Sequence, residues 1–592
     1  LKHILKHIRP YVPMLLMSMV LIAVQAYCNL AMPDVMSQIV NVGIQEYSHR
    51  IAQASADAVP ALMAQQRAYI IATGGKMLVI ALITSGVALM VQYCNAKLGT
   101  GLTRDLRRTV FTKIESFSSA EFDKFSTASL ITRTTNDVQQ LQMMLTRGVR
   151  TLVFAPFMGI GGIVMAMRKA PSMAWINALS VLLVLCLIIT VYSLALPRFK
   201  IIQELIDRLN LVARESLNGL LVVRAFSTQR DEEKRFDKAS TDYKNTNLFV
   251  NRTMSMMGPT MAVIQNLIPV LIIWVGADKI AQSQLMVGDM MAYIQYSGNI
   301  MGAFMMISGI FIMIPRAMVS VNRVAEILDT ENMITEIENP VVLTDRCCEI
   351  VFDDVSFAYP DGDGDVLENI SFTAKPGQIT AIIGSTGCGK TSLINLIPRL
   401  YDATSGTVKI NGVNVKDMSL IALRDLIGYV PQKSVLLSGT VRSNMLAAKP
   451  GATDEDIEKS LEIAQAKSFI MEKEEGIDAP VSQGGTNFSG GQRQRLAIAR
   501  AVMKMAPIYI FDDSFSALDF KTDLNLRKAL NRNLSDSTII IVGQRVASIM
   551  DADQIIVMDD GRIVGKGTHR HLLETCEEYQ QIAYSQLSKE EV

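Results

Sequence analysis

The chain carries no net charge: across 592 residues, 57 lysines and arginines stand against 57 aspartates and glutamates. A nucleic-acid partner calls for a basic face, so this balance gives no reason to expect one. Cysteine is scarce. The seven residues (Cys28, Cys94, Cys186, Cys347, Cys348, Cys388 and Cys576) form no C-x-x-C pair, which fits reduced thiols better than a disulfide or zinc framework. Aromatic residues make up only 6%. Charge is nearly missing from the long apolar runs: Lys76 and Asp289 fall near run ends, and Arg316 stands beside Pro315. No intramembrane ion relay is visible, which argues against an ion-coupled carrier. No small-residue cleavage site follows the first run, so an anchor is expected there and not a cleaved leader.

What is there is unevenly placed. Apolar residues reach 49%, concentrated before Ser320, while the remainder has the charge density of a soluble α/β domain. A chain of this length exceeds one core, so at least two domains are expected. We place them at 1–320 and 346–592, joined by an acidic, helix-then-loop linker at 321–345. A basic run at 2–9 suits a membrane surface. Six stretches are long enough to cross a bilayer, near 13–32, 70–94, 152–167, 173–196, 259–277 and 287–319. The intervals after the second and fourth are polar, helix-like and rich in Arg and Lys, among them Arg104, Arg107, Arg133, Arg198, Arg214 and Arg224. Such loops stay inside, so the N-terminus and the C-terminal domain are expected to be cytoplasmic, in a plasma membrane; Arg168 and Lys169 run against this rule. The polar, Ala-rich 45–67 interval reads as an extracellular pair of helices. Met305, Met306 and Met313 of the sixth stretch either line a cavity or pack against lipid and neighbouring helices.

From residue 350 the pattern shifts to short strands, near 350–352, 370–373, 379–383, 408–410, 427–430, 508–511, 539–542 and 555–558, with helical stretches between. The strand at 379–383 runs into Gly384-Ser385-Thr386-Gly387-Cys388-Gly389-Lys390-Thr391, with a helix expected at 392–400. Glycines at these positions let main chain wrap phosphates, and the Lys adds charge at the β/γ oxygens. Further on, Ser489-Gly490-Gly491-Gln492 opens a basic helix, offering N–H groups and a positive dipole end to an anion. The apolar run 508–511 then delivers Asp512 at its tip, where a metal would take a carboxylate.

These motifs, in this order and behind a hydrophobic half, resemble an ABC exporter half-transporter along the whole chain. The resemblance implies an all-α transmembrane domain of six helices with long cytoplasmic extensions, fused to an α/β P-loop ATPase. It implies that ATP is held by Tyr359, Gly384, Ser385, Thr386, Gly387, Cys388, Gly389, Lys390, Thr391, Ser392 and Gln432, with Tyr359 stacked on adenine. Thr391, Gln432 and Asp512 would hold Mg²⁺, Asp519 is the D-loop acid, and Ser489, Gly490, Gly491 and Gln492 form the signature that completes a partner's ATP site. Segments at 122–137 and 220–226 resemble the family's coupling segments, although Ala128-Ser129 replace its usual Gly and acid.

Two positions depart from the family where chemistry is expected. Asp513 stands where the family has a Glu that polarises water, and a carboxylate drawn back by roughly 1.5 Å costs on the order of 10²-fold. Gln544 stands where it has a His, and an amide can hydrogen-bond but neither takes up a proton nor carries positive charge. Gln483-Gly484-Gly485 replaces a common Glu-Arg-Gly. The pattern resembles the degenerate-site half of a heterodimeric multidrug-type exporter, with Asp513 and Gln544 the weakened catalytic pair. Its expected partners are a second half-transporter, the bilayer and a small amphipathic or lipophilic substrate, and no nucleic acid. A slow homodimer, a lipid flippase, an exporter-fold importer of a metal chelate and a regulatory or channel-like subunit stay open on sequence.

Overall fold

A computed structural model describes residues 8–343, 347–360, 362 and 364–587, so most of the basic run at 2–9 and the end of the linker lie outside it. The chain forms two compact units: Leu1–Glu115 with Thr127–Thr330, and Ser116–Ser126 with Glu331–Val592.

The first unit is helical. Among the described residues, six helices are long and apolar enough to cross a membrane: Arg9–Ala52, Val59–Glu115, Thr127–Lys169, Pro171–Asn218, Gln229–Ala281 and Val287–Asp329. At 1.5 Å per residue, the 57 residues of the second span about 85 Å, far more than a hydrocarbon core of about 30 Å. The helical extensions expected from the polar intervals are therefore present. The 45–67 interval is helical apart from a short break: one helix ends at Ala52 and the next starts at Val59-Pro60, where Pro in the first turn forfeits no bond. The third helix is longer than the 152–167 read from apolarity, because its start is polar. It includes the π-helical turns Arg133–Asp137 and Met144–Gly148.

Small residues let the third and sixth helices approach closely. A Cβ on Gly162 would lie 2.9 Å from Ile300 Cγ1, and one on Gly159 would lie 3.4 Å from Ala303 Cβ. Buried hydroxyls find main-chain acceptors: Tyr293 donates to Met173 O at 2.7 Å, and Tyr296 to Leu30 O at 3.1 Å. Lys169, anomalous by charge placement, is neutralised by tertiary contact. Its Nζ lies 2.8 Å from Asp34 Oδ1 and 3.0 Å from Asp289 Oδ1, and donates to Ser37 Oγ at 3.0 Å. Three helices are thus tied at one end of the bundle.

Among its described residues the second unit has twelve strands: β1 Ile350–Phe357, β2 Leu367–Ala374, β3 Ile379–Gly384, β4 Ser405–Ile410, β5 Val413–Asn414, β6 Ile427–Val430, β7 Gly439–Thr440, β8 Pro480–Val481, β9 Ile508–Asp512, β10 Thr538–Val542, β11 Gln554–Asp559 and β12 Arg562–Gly567. β2-β1-β4-β5 form an antiparallel sheet. A six-stranded sheet runs β12-β11-β3-β10-β9-β6, parallel except for β12. Every residue of β9 and β10 is buried, which is why both read as unbroken apolar runs. The helix expected at 392–400 is instead Lys390–Asn395. Past it the chain tightens into i→i+3 turns, Pro398 has no N–H to continue the ladder, and Arg399 takes a left-handed φ of +51°.

Ser116–Ser126 packs with this second unit although it joins two helices of the first. Ser118 and Glu121 form a capping box, and Glu121 Oε1 also accepts from Met333 N at 2.8 Å. Asn332 Nδ2 donates to Ser116 O at 2.8 Å. Glu121 is 3% exposed. Burial alone would raise its pKa, but donors from the Ser118 hydroxyl and the Met333 and Ser118 N–H groups outweigh it and hold the carboxyl below its usual range.

Candidate functional site

The carboxyl ends of four adjacent parallel strands gather the sequence-predicted residues. β3 leads into the Gly384–Lys390 loop, β10 into Gln544, β9 ends in Asp512, and β6 is followed by Gln432. In register, Val542 lies beside both Ile382 and Asp512, and Val430 beside Phe511. Ligands of open parallel sheets sit at such strand ends.

The loop keeps its shape through glycine. Gly387 and Gly389 have φ of +90° and +95°. A Cβ on Gly389 would meet Leu367 Cδ2 at 2.8 Å and Val366 O at 2.9 Å, whereas around Gly387 the space is open. Lys390 is 9% exposed, and its ammonium donates to Gly384 O at 2.9 Å and Ser385 O at 2.6 Å, so the loop closes around the charge. Cys388 is buried, its Sγ 3.5 Å from the same ammonium. Ser385 Oγ reaches Asp559 Oδ1 at 3.3 Å, a brace from β11 that no local pattern announces. Thr386 stands at the loop's exposed turn.

Asp512 is 2% exposed and accepts from Thr391 Oγ1 at 3.1 and 3.3 Å. Burial raises its pKa, opposed by the Thr391 hydroxyl, the Gln432 N–H and Lys390, while neighbouring Asp513 adds to the rise. Among the described residues no cluster of three or more His, Cys, Asp or Glu makes a metal site. One carboxylate beside a hydroxyl suits Mg²⁺, which keeps waters and takes its remaining oxygens from substrate phosphates.

The two residues that depart from the family meet. Gln544 Nε2 donates to Asp513 Oδ2 at 3.4 Å, across 31 positions of sequence. Asp513 holds a left-handed φ of +46°, fixed by its N–H donating to Val542 O at 3.0 Å. Tyr359 is half-buried; its hydroxyl lies 2.8 Å from Ser392 Oγ, and its ring stands edge-on to Phe357 and Tyr401 at centroid distances of 4.9 and 5.2 Å.

Ser489 caps the 14-residue helix Gly490–Met503. Gln492 N donates to Ser489 Oγ at 3.3 Å, and Ser489 N to Gln492 Oε1 at 3.0 Å. Ser489 and Gly490 are exposed, whereas Gly491 is packed so that a Cβ would lie 3.0 Å from Ala517 O. Asp519 caps the Phe520–Asn533 helix through Thr522 N at 3.0 Å, a bond that holds its pKa down. Gln494, unmarked in sequence, ties the first of these helices to the loop before the second: its Oε1 accepts from Ala517 N at 3.2 Å. Gly484 and Gly485, in the stretch that replaces Glu-Arg-Gly, both take φ of +68°. In the helical unit, the short helix Leu220–Ala225 leaves Leu221 83% and the following Phe226 75% exposed.

Comparison with known proteins yields two family matches: the ABC transporter transmembrane region over residues 15–304, and the ABC transporter ATPase model over 367–516. An uncharacterized ABC transporter ATP-binding protein of Mycobacterium tuberculosis (strain ATCC 25618 / H37Rv) is 38% identical over 585 residues, covering 98% of this chain and 97% of its own. An ATP-dependent lipid A-core flippase of Pseudomonas fluorescens (strain Pf0-1) is 34% identical over 491 residues, 81% of this chain and 80% of its own. Among solved structures, a bacterial Atm1-family ABC exporter with ATP bound superposes with a TM-score of 0.77 at 23% identity, covering 98% of this chain and 99% of that one.

Proposed function

The chain belongs to the ABC transporter family as an exporter half-transporter, and on that premise we propose that it is the degenerate-site half of a heterodimeric exporter. The observation that carries the reading is the Asp513–Gln544 contact. A short carboxylate and an uncharged amide sit together where the family places its water-polarising base and its switch. Lys390, the main chain of Gly384–Gly389 and Ser392 bind the phosphates of ATP, and Tyr359 packs against its base. Thr391, Asp512 and Gln432 hold Mg²⁺, which when bound neutralises charge on the phosphate oxygens. Asp513 then orients water poorly, being one methylene short, and Gln544 contributes a hydrogen bond without charge.

ABC half-transporters work as dimers in a membrane. The exposed, preorganised Ser489–Gln492 turn supports a role in completing a partner's site, and exposed Leu221 and Phe226 support a surface that a second subunit covers. Closure of the paired ATPase domains around ATP turns the membrane half outward, and hydrolysis at the partner's site resets it. The cargo is a small amphipathic or lipophilic molecule leaving the cytoplasm or inner leaflet of a plasma membrane. Likeness to flippases of lipid A-core supports a lipid-like cargo as a second form of the same reading. The test is Asp513→Glu with Gln544→His in the paired complex: turnover should rise about 10- to 100-fold at this site. No rise would remove these two residues as the cause of weak hydrolysis.

A further inference from the structure

Gln586 lies 42 residues beyond Gln544 and on another element, yet it holds the main chain on which Gln544 stands. Its Nε2 donates to Gln544 O at 2.8 Å, and its Oε1 accepts from Val546 N at 2.9 Å. One side-chain amide thus takes a carbonyl and an N–H on either side of Arg545, as a neighbouring strand would.

The helix Glu577–Gln586 brings the amide there. Tyr579, Ala583 and Gln586 recur at the i, i+4, i+7 spacing of one helix face. Tyr579 and Ala583 are fully buried, and the Tyr579 hydroxyl lies 2.7 Å from His569 Nδ1. That burial fixes the rotation of the helix and so aims Gln586, in its last turn, at the segment after β10. Gln586 itself is exposed, so its amide shapes that segment while adding little to the core.

The segment needs such a hold. At its start Gly543 N donates to Ile382 O at 3.1 Å, and at its end Val546 is buried. Gln544 and Arg545 between them are both exposed. Arg545 is fastened by its Nη2 donating to Ser516 O at 3.1 Å, and Gln544 by Gln586 at its carbonyl.

We propose that Gln586 is a positioning residue for the γ-phosphate: by fixing the main chain at Gln544 and Val546, it holds the Gln544 amide where it meets the terminal phosphate, so that the site distinguishes ATP from ADP. This rests on the role given to Gln544 at the nucleotide. A loosened main chain lets that amide sample positions away from the phosphate, and the loss of preorganisation falls only on the nucleotide that carries a γ-phosphate.

The experiment measures dissociation constants for ATP and for ADP, each with Mg²⁺, on the full chain in lipid nanodiscs by calorimetry, with Lys390→Ala as the non-binding control. Gln586→Ala should weaken ATP roughly 3- to 10-fold, a span expected of networked residues, and leave ADP unchanged. Gln586→Glu keeps the length and the acceptor but sets a carboxylate against Gln544 O, and should weaken ATP as Gln586→Ala does. In a Gln544→Ala background, Gln586→Ala should have no further effect on ATP, because the side chain it aims is gone. Equal weakening of ATP and ADP, as a general loosening of the fold would give, overturns the proposal. So does an equal loss of ATP affinity with and without the Gln544 side chain, or no loss in either, while Gln544→Ala alone still weakens ATP. A Gln544→Ala variant that binds ATP as wild type does removes Gln544 from the γ-phosphate, and a wild type that binds no better than Lys390→Ala removes the ATP site; either result overturns that reading, and the proposal with it.

Discussion

At Asp513 the main chain takes a left-handed turn that β-branched or bulky residues avoid, and the side chain leaves it already engaged by Gln544. The engagement joins two substitutions that look independent in sequence. Restoring only one should therefore give less than half of the gain, on a logarithmic scale, of restoring both; single-turnover rates of Asp513→Glu, Gln544→His and the double variant measure this coupling. Gly389 makes a second residue-scale claim. With φ at +95° and a Cβ clashing against Leu367 and Val366, Gly389→Ala should cost about 1–3 kcal/mol in the ATPase unit and abolish nucleotide binding. Thermal unfolding with and without ATP reads both: a lower midpoint and no ligand-induced rise.

Among elements, Ser116–Ser126 shows where sequence stops being informative. Its Ser118–Glu121 capping box is local and readable, but its membership in the ATPase unit depends on Met333 and Tyr401, 212 and 278 residues from their partners Glu121 and Asp123. The six apolar helices and the buried strands were legible because length and periodicity are local properties. The phosphate loop was legible because glycine spacing is. The two-residue strands β5, β7 and β8 fall below any pattern, and β12 alternates between exposed and half-buried residues, which gives no apolar run. Lys169 looked misplaced in sequence for the same reason: its carboxylates come from two other helices.

Both elements yield predictions. Glu121 has a folded pKa below the ordinary glutamate value, so its stabilisation is present above about pH 4.3 and lost as pH falls through the folded value. The midpoint difference between wild type and Glu121→Gln should accordingly be constant near neutrality and shrink in acid; a difference growing in acid would contradict it. For the ion cluster, Lys169→Met leaves the half-buried Asp34 and Asp289 without their cation. The helical unit should lose about 1–2 kcal/mol, between the exposed-pair and buried-pair ranges, largely recovered when both acids are also made Asn, as followed by denaturant unfolding in detergent.

For the whole molecule, a membrane half of six long apolar helices is joined to an ABC ATPase in which Asp513 and Gln544 depart from the family pattern. Lys390 is buried and bonded to the carbonyls of its own loop, and the buried Asp512 carboxylate accepts from the Thr391 hydroxyl. Ser489 and Gln492 close a capping box, and Ser489 is exposed. The Asp513–Gln544 contact is the observation on which two unlike subunits are proposed in place of two copies. The most direct measurement is steady-state ATP turnover of this chain purified alone in lipid nanodiscs, with its oligomeric state determined in parallel. Retained ATP binding with near-absent turnover is the expected result. Brisk turnover by a homodimer would contradict it, and Asp513 would then be a working base.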